Sequence, residues 1–341
     1  MSRRGRHFFA GALALVAALA PRAAEAPRHD LHLLVNLSGP GSGIIGRAGQ
    51  ARSGLYRSAD RATFEHVGPH HIRMFHLTHD PRDARVVYVA ALDGLLRSPD
   101  RGLTWRITTS WDMTEGKAVA FDPAEPAHLY LALPDGIAFS PDGGGTWERR
   151  QAGITRAYTN ALVVDRSRAG RVLAGCELGI HLSEDAARTW RRVRPTAKVT
   201  YDLRQSPHDP RAFVAATSAD GPLASADGGE TWRELPGIGR ERTLHNVVYD
   251  PVVPGRLVLC GWGVGVQVSE DGGATWADRS AGLPRREVWS VAVDPDIPGR
   301  LYAAPFQEDV YASDDLGRTW RPLSFGKATV FALGFLPRPA R

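Results

Sequence analysis

The sequence predicts an all-β fold, a single seven-bladed β-propeller of four-stranded antiparallel blades. The first observation is a pattern, Ser-x-Asp-x-Gly-x-Thr-Trp, whose seven copies end at positions 64, 105, 147, 190, 232, 276 and 320; the first copy is one residue short and ends in Phe, and the fourth has Ala187 in place of Gly. A repeat of 41 to 44 residues indicates an array of supersecondary units. The second observation is that short apolar runs bounded by Gly, Pro and Asp fill each repeat, while convincing helical periodicity is absent from the sequence. Four antiparallel strands form one propeller blade, and blades repeated radially around a channel form a β-propeller.

Each repeat follows one order of strands and turns. A first strand ends in Asp-Pro or a related pair, a second strand such as Leu129–Leu133 follows, and a short Gly-containing turn leads to a third strand such as Val266–Ser269. The repeated pattern then forms a turn, and a fourth strand begins at its Trp. In that turn we expect the Ser and Asp oxygens to accept hydrogen bonds from backbone amides, and the Gly to adopt a positive φ.

The two ends of the chain predict how the ring closes. Thr329–Leu336 matches the first strand of a blade, and the N-terminal part supplies the other three as Leu31–Leu37, Gly54–Ser58 and Phe64–Val67. We therefore expect the C-terminal strand to complete the N-terminal blade. Such closure removes an exposed sheet edge.

The repeated pattern resembles the bacterial neuraminidase repeat, or Asp-box, over nearly all of residues 54–337. The chain is thus similar to sialidases, sortilin-type receptors, xyloglucanases and, in style, the photosystem II assembly-factor propellers. The resemblance implies that the boxes are scaffold on the face away from the binding or active site. The box aspartates are Asp60, Asp100, Asp142, Asp185, Asp227, Asp271 and Asp315.

Composition restricts partners and location. The first 26 residues contain four arginines and one glutamate, so +3 of the formal +5 charge lies there and +2 remains for 27–341. This distribution removes the main support for a nucleic-acid partner. Residues 1–26 have a basic start and an apolar run from Phe8 to Ala20, which predicts a signal peptide or an uncleaved anchor. We expect an exported protein, periplasmic or extracellular, with the propeller at 27–341, no further membrane insertion and a monomeric state.

Cysteine and histidine placement argues against metal and redox chemistry. Cys176 and Cys260 fall in non-neighbouring repeats, so we expect two buried thiols rather than a disulfide. His76 and His79 are three apart on a strand and point to opposite faces. We expect no metal site and no cofactor.

Candidate binding residues lie on the face opposite the boxes. Counting five residues back from the Asp-Pro pair that ends each first strand, or from the related residue in its place (Ser206, Leu336), aligns a chemically varied ring, which we call the mouth ring: Phe75, Lys117, Asn160, Tyr201, His245, Trp289 and Phe331. Trp111, Trp262 and Glu308 map to the same face, and residues 38–53 form a long insertion there. Such aromatics suit stacking on sugars or anchoring a protein, although packing between blades is an alternative.

Two functions follow as hypotheses. The first is an exported, non-catalytic scaffold that binds a protein or glycan through this face. The alternative is a glycoside hydrolase of sialidase or xyloglucanase type, which needs paired carboxylates. Its candidate acids are Asp93, Asp135, Asp202 and Asp220. The first, second and fourth occupy the loop in which the xyloglucanase resemblance places a catalytic Asp.

Overall fold

A computed structural model describes residues 27–36, 53–68, 70 and 73–339 of the chain. In that part the chain forms seven four-stranded antiparallel sheets, which confirms the predicted seven-bladed propeller. The signal-peptide prediction and residues 38–52 of the predicted insertion lie outside the described residues. Within the described part, no helix is long and apolar enough to cross a membrane.

The strands are short and arranged from the channel outwards in each blade. Blades 1 to 4 consist of β28 (Val330–Pro337), β1 (His29–Val35), β2 (Gly54–Ser58) and β3 (Glu65–Val67); β4 (Met74–Asp80), β5 (Asp83–Ala91), β6 (Gly94–Ser98) and β7 (Arg106–Ile107); β8 (Ala118–Phe121), β9 (Leu129–Leu133), β10 (Gly136–Ser140) and β11 (Glu148–Arg149); and β12 (Thr159–Val164), β13 (Val172–Cys176), β14 (Gly179–Ser183) and β15 (Arg191–Pro195). Blades 5 to 7 consist of β16 (Thr200–Gln205), β17 (Phe213–Thr217), β18 (Pro222–Ser225) and β19 (Arg233–Glu234); β20 (Leu244–Tyr249), β21 (Leu257–Gly261), β22 (Gly265–Ser269) and β23 (Ala277–Asp278); and β24 (Val288–Val293), β25 (Leu301–Pro305), β26 (Tyr311–Ser313) and β27 (Arg321–Pro322).

The ring closes as the sequence predicts. β28 pairs with β1 from His29↔Pro337 to Val35↔Val330, so the two chain ends share blade 1. Buried charges reinforce the junctions on either side. Arg61 donates from Nε to Asp294 of blade 7 at 2.8 Å, and Arg101 of blade 2 pairs with Asp30 of blade 1.

The box turn has the predicted hydrogen bonds. In the third blade, Ser140 Oγ donates to Asp142 Oδ1 at 2.8 Å and accepts the amide of Gly144 at 2.7 Å. Asp142 in turn accepts both the amide and the hydroxyl of Thr146. Gly144 has φ +91°, and Ala187, which replaces this Gly in the fourth blade, still adopts φ +67°. The turn therefore keeps its left-handed residue without Gly.

Three of the box tryptophans tie neighbouring blades together, while Trp105 and Trp232 bond within their own turns. Trp147, Trp190 and Trp320 donate from Nε1 to backbone carbonyls of Thr108, Arg150 and Arg279 in the preceding blades. The fourth strands begin one residue after the Trp rather than at it. Cys176 and Cys260 are buried free thiols, as expected from their separation.

Two faces result from the strand order. Amides of the box turns bond to the turns between first and second strands, as Gly143 N does to Ala127 O, so these turns share one face, the box face. The second-to-third-strand turns and the connections between blades lie at the other ends of the strands, on what we call the mouth face. This division is the one the sequence predicts.

Candidate functional site

The mouth ring is built by a repeated irregularity in the innermost strands. In six blades the pairing of the first and second strands skips one residue, and in every case it is a member of the mouth ring. Met74 pairs with Ala91 and His76 with Ala90, for example, which leaves Phe75 unpaired. In blade 3, Lys117 directly precedes β8. Such β-bulges re-aim a side chain.

All seven mouth-ring residues line one cavity of about 280 Å³ at the end of the central channel. The residues that follow them in sequence line it too, since a bulge brings two consecutive side chains towards the same side. They are His76, Ala118, Ala161, Asp202, Asn246, Ser290 and Ala332. The cavity lies near the small end of the range for ligand pockets.

Aromatic rings form a continuous arc around this cavity. His245 stacks on Trp289 with centroids 4.2 Å apart, and Trp289 contacts Phe331 at 5.0 Å. Phe331 stacks on Phe75 at 5.9 Å, and Tyr201 meets His245 edge-on at 5.6 Å. The arc therefore runs from blade 5 through blades 6, 7 and 1 to blade 2.

Trp262 and Phe306 extend the arc outwards over the mouth face. Trp262 lies 6.2 Å from Trp289, 6.3 Å from His245 and 5.4 Å from Phe306, and 44% of its surface is exposed. The sequence analysis places Trp262 and Trp289 on this face, and the structure brings them into contact. It also brings in Phe306, which the sequence analysis does not identify.

Lys117 lies next to Phe75, at the blade 2 end of the aromatic arc. Its Nζ lies 4.2 Å from the centre of the Phe75 ring and 5.8 Å from that of Tyr158, and it pairs with Glu115 at 3.3 Å. A cation over aromatic faces is held by the ring quadrupoles. Lys117 thus has partners on three sides.

The layer beneath the mouth ring joins consecutive blades. Asp202 Oδ2 accepts the amide of Val247, Asn246 Oδ1 accepts that of Val291, and Ser290 Oγ accepts that of Leu333. Each polar side chain therefore bonds to the innermost strand of the next blade. These residues have a structural role even though they line the cavity.

Asp202 is fully engaged as a hydrogen-bond acceptor. Oδ1 accepts the amide of Leu203 at 3.0 Å and lies 2.9 Å from Arg204 Nε. Oδ2 accepts the side chain of Asn246 at 2.8 Å besides Val247 N. Its oxygens therefore have donors from two blades.

Arg204 is a second residue that the sequence analysis missed, besides Phe306. Three positions beyond each mouth-ring residue the blades carry Thr78, Ala120, Val163, Arg204, Val248, Ala292 and Gly334. A single charge in this aligned series is the signal that identifies it. Arg204 lines the cavity with 42% of its side chain exposed. It lies close enough to the opposite side to contribute to the lowered pKa of His76 in blade 2.

The histidines in the cavity wall are neutral near pH 7. Burial lowers the pKa of His245 to about 4, although its Nδ1 hydrogen-bonds to Val288 O at 3.2 Å. Burial, aided by Arg204, lowers the pKa of His76 to about 4 against the attraction of Asp202. Protonating either ring would place a positive charge in a site that has lost water, which disfavours the charged form.

The other acids proposed for catalysis do not line the cavity. Asp135 is exposed and pairs with Arg149 at 2.7 Å, while Asp93 is exposed at the β5–β6 turn. Asp220 is buried and accepts the amide of Ala197 at 2.7 Å, which fixes a loop. Among the described lining residues, Asp202 is therefore the only carboxylate.

Glu308 and Trp111 also lie away from the cavity. Glu308 pairs with Arg285 at 3.0 Å and with Lys327 at 3.3 Å. Trp111, in the connection between blades 2 and 3, is 90% exposed. In the described part of the chain no group of three or more His, Cys, Asp or Glu side chains is arranged to hold a metal ion.

Known structures with this architecture include GH74 enzymes and a peptide-bound protein. No protein-family model matches the chain, and no curated protein matches it in sequence. The GH74 xyloglucanase of Xanthomonas campestris is 20% identical with a TM-score of 0.61, over 73% of this chain and 45% of that one. An ancestral GH74 enzyme is 17% identical with a TM-score of 0.62, over 80% of this chain and 39% of that one. The chain thus spans less than half the length of either enzyme.

A third similar structure is close to this chain in size. YCF48 bound to D1 peptide is 18% identical with a TM-score of 0.58, and the match covers 78% of this chain and 91% of YCF48. At these identities the likeness concerns the fold alone. The chain is a seven-bladed β-propeller similar in architecture to a GH74 xyloglucanase, to an ancestral GH74 enzyme and to YCF48.

Proposed function

We propose that this protein is an exported, non-catalytic binding ring that holds a protein partner against its mouth face. The observation that carries the proposal is the repeated bulge, which directs one side chain from each of six blades, and Lys117 from the seventh, at a single cavity. A rigid ring that presents varied aromatic and polar groups suits recognition. YCF48, whose structure contains a bound peptide and whose length this chain nearly matches, favours a protein over a glycan.

The central contact is the aromatic arc with Trp262 at its outer edge. Trp262 is partly exposed on the mouth face, and it contacts Trp289, which lines the cavity. Aromatic anchors of this kind provide large apolar area at low cost in side-chain entropy. Binding through this face leaves the box face as scaffold.

Photo-crosslinking in the intact cell tests this function. A photoreactive amino acid at position 262 is expected to capture a defined partner, whereas the same group at Arg318, exposed on the box face, captures none. Trp289→Ala should abolish the crosslink from position 262, and Trp111→Ala, a matched exposed tryptophan outside the cavity, should leave it intact. A crosslink that survives Trp289→Ala would rule out the mouth as the binding site.

Glycoside hydrolysis receives less support from the geometry. The mechanism generally requires two carboxylates about 5–9.5 Å apart. Asp202 stands alone among the described residues of the cavity wall and is committed to donors from two blades. We expect no release of reducing sugar from a panel of polysaccharides. Release that Asp202→Asn abolishes would overturn the non-catalytic assignment.

Export is part of the proposal because the signal-peptide pattern motivates it. Cell fractionation should place the protein outside the cytoplasm, and mass spectrometry of its N-terminus should show whether residues 1–26 are removed. Recovery in the cytoplasmic fraction would contradict this part of the proposal and leave the binding surface to be tested separately.

A further inference from the structure

We infer that the floor of the cavity is a carboxylate-binding subsite, with Arg204 as the group that recognises the anion. This inference rests on the proposed function, because it takes the mouth ring as the place where a ligand binds. It adds the chemical class of the group that enters the cavity, an acid attached to an apolar or ring-bearing moiety.

The hydrogen-bonding capacity of Arg204 is mostly unused. Its Nε atom faces Asp202, at 2.9 Å from Oδ1 and 3.2 Å from Oδ2. Neither Nη atom has a hydrogen-bond partner among the residues that the structure describes. A guanidinium is a fork of donors that matches the two oxygens of a carboxylate. The free side of the fork is thus available to a ligand acid.

Asp202 does not compete for that position. Besides the Nε atom of Arg204, the carboxylate of Asp202 accepts two backbone amides and the side-chain amide of Asn246. These donors stabilise its negative charge. A cationic ligand would find its oxygens occupied. Asp202 instead holds the Nε edge of Arg204, so that the guanidinium is oriented before a ligand arrives.

The charges that line the cavity favour an anion. The charged side chains of the described lining are Lys117, Asp202 and Arg204, so the lining itself carries one net positive charge, while Glu115, which pairs with Lys117 at 3.3 Å, lies outside the lining. His76 and His245 are neutral there because burial lowers their pKa values. An anion that displaces cavity water would meet this positive charge in a partly desolvated site, where its attraction is stronger than in bulk water.

The aromatic arc defines what should accompany the acid. Trp289, His245, Phe331 and Phe75 line or flank the cavity above its floor, and they offer ring surfaces to an apolar side chain or to a sugar ring. The cavity volume of about 280 Å³ admits the end of a molecule rather than a continuous chain. The arc is largely apolar, which favours an apolar acid, such as the last residue of a polypeptide, over an acidic sugar.

Matched pairs of acids and neutral analogues test the inference by titration calorimetry on the full chain. N-acetylphenylalanine is compared with N-acetylphenylalaninamide, and glucuronic acid with glucose. We expect the phenylalanine acid to bind about ten- to a hundredfold more tightly than its amide, which is the effect of a charge-assisted hydrogen bond. If only the sugar pair shows this preference, the subsite stands and its ligand is an acidic sugar.

Variants assign the preference to Arg204. Arg204→Gln should remove the acid preference, and Arg204→Lys, which keeps the charge without the fork, should retain part of it. Arg106→Gln, at an exposed arginine of β7, is the control and should bind like the wild type. Circular dichroism melting confirms that each variant folds. Equal binding of acid and neutral analogue, no binding of any probe, or a preference that persists in Arg204→Gln would overturn the subsite. The crosslinking experiment at position 262 decides the proposed function independently of this result.

Discussion

The imidazole of His245 lies flat against the indole of Trp289, with centroids 4.2 Å apart and ring planes within 9° of parallel. The two residues occupy equivalent bulge positions in blades 6 and 7. Two neighbouring bulges thus place two rings face to face at the cavity. The indole covers one face of the imidazole, and burial of this ring lowers the pKa of His245 to about 4.

Removing the indole should change the titration of His245. We expect Trp289→Ala to raise the pKa of His245 from about 4 towards 6.5, by at least one unit, because water would then reach the ring. NMR titration of the imidazole resonances measures this value. Trp111→Ala serves as control, since that tryptophan is outside the cavity. An unchanged pKa would mean that other groups bury the ring.

Acid should destabilise the protein over a defined interval of pH. Burial lowers the pKa values of His32, His76 and His245 to about 4 from 6.5, so the unfolded chain binds more protons between these values. Stability is therefore present above pH 6.5 and is lost as the pH falls towards 4. Each ring is expected to contribute about 1–2 kcal/mol of loss between pH 7 and pH 5.

Urea unfolding at pH 7, 6 and 5 measures this loss. His32→Gln should make the dependence shallower, since His32 is almost completely buried and hydrogen-bonds to the backbone carbonyl of Asp30. A free energy of unfolding that stays constant from pH 7 to pH 5 would contradict the prediction.

The box serine should be a stability determinant. Ser140 is completely buried, and Ser140→Ala would leave the amide of Gly144 without its acceptor. We expect a loss of about 1–3 kcal/mol in the free energy of unfolding, which is the cost of an unsatisfied buried donor. Ser110→Ala, at an exposed serine that also bonds to an aspartate, should change stability by less than about 0.5 kcal/mol. Equal effects of the two substitutions would refute this account of the box.

The junction between blades 7 and 1 depends on a buried ion pair. Arg61 and Asp294 have side chains that are 3% and 0% exposed. Arg61→Ala would leave the buried carboxylate of Asp294 without its cationic partner and is expected to destabilise the protein by about 3–5 kcal/mol. Arg318→Ala, an exposed box-face arginine, is the control. Thermal or urea unfolding of both variants measures the difference, and similar midpoints would show that the pair does not secure the closure.

The two thiols should be unreactive in the native protein. Burial raises the pKa of Cys176 to about 11, against a hydrogen bond with Thr159, and raises that of Cys260 well above its usual value. Because the thiolate is the reactive form, we expect iodoacetamide to modify neither residue at pH 8 in the folded protein and both after unfolding in urea. Mass spectrometry counts the modified thiols. Rapid labelling of the native protein would contradict their burial.

The repeat made the scaffold predictable at the level of individual residues. Ser140, Asp142, Thr146 and Trp147 form local contacts within one turn or with the adjacent blade, so a pattern in sequence translates directly into geometry. The same period aligned the mouth ring, and all seven aligned positions line one cavity.

Other features depend on contacts that a repeat does not encode. Asp93, Asp135 and Asp220 share a loop position with one another, yet their environments differ, since Asp220 is buried and bonded to Ala197 while Asp135 is exposed beside Arg149. Arg204 was visible only as one charge in an aligned series. The inference about Arg204 depends on two contacts that the structure shows. The oxygens of Asp202 are occupied by other donors, and the Nη atoms of Arg204 have no hydrogen-bond partner among the described residues.

By itself the sequence determined the number of blades, the closure of blade 1 by the C-terminal strand, and the face that carries the boxes. These features follow from local turn chemistry and from strand periodicity, which act over a few residues. Only the tertiary structure decided that the first strands bulge, that His245 stacks on Trp289, and that Arg204 lines the cavity with its Nε against Asp202. The physical reason is that these relations join side chains from different blades, and their distances are set by how seven sheets pack around one axis.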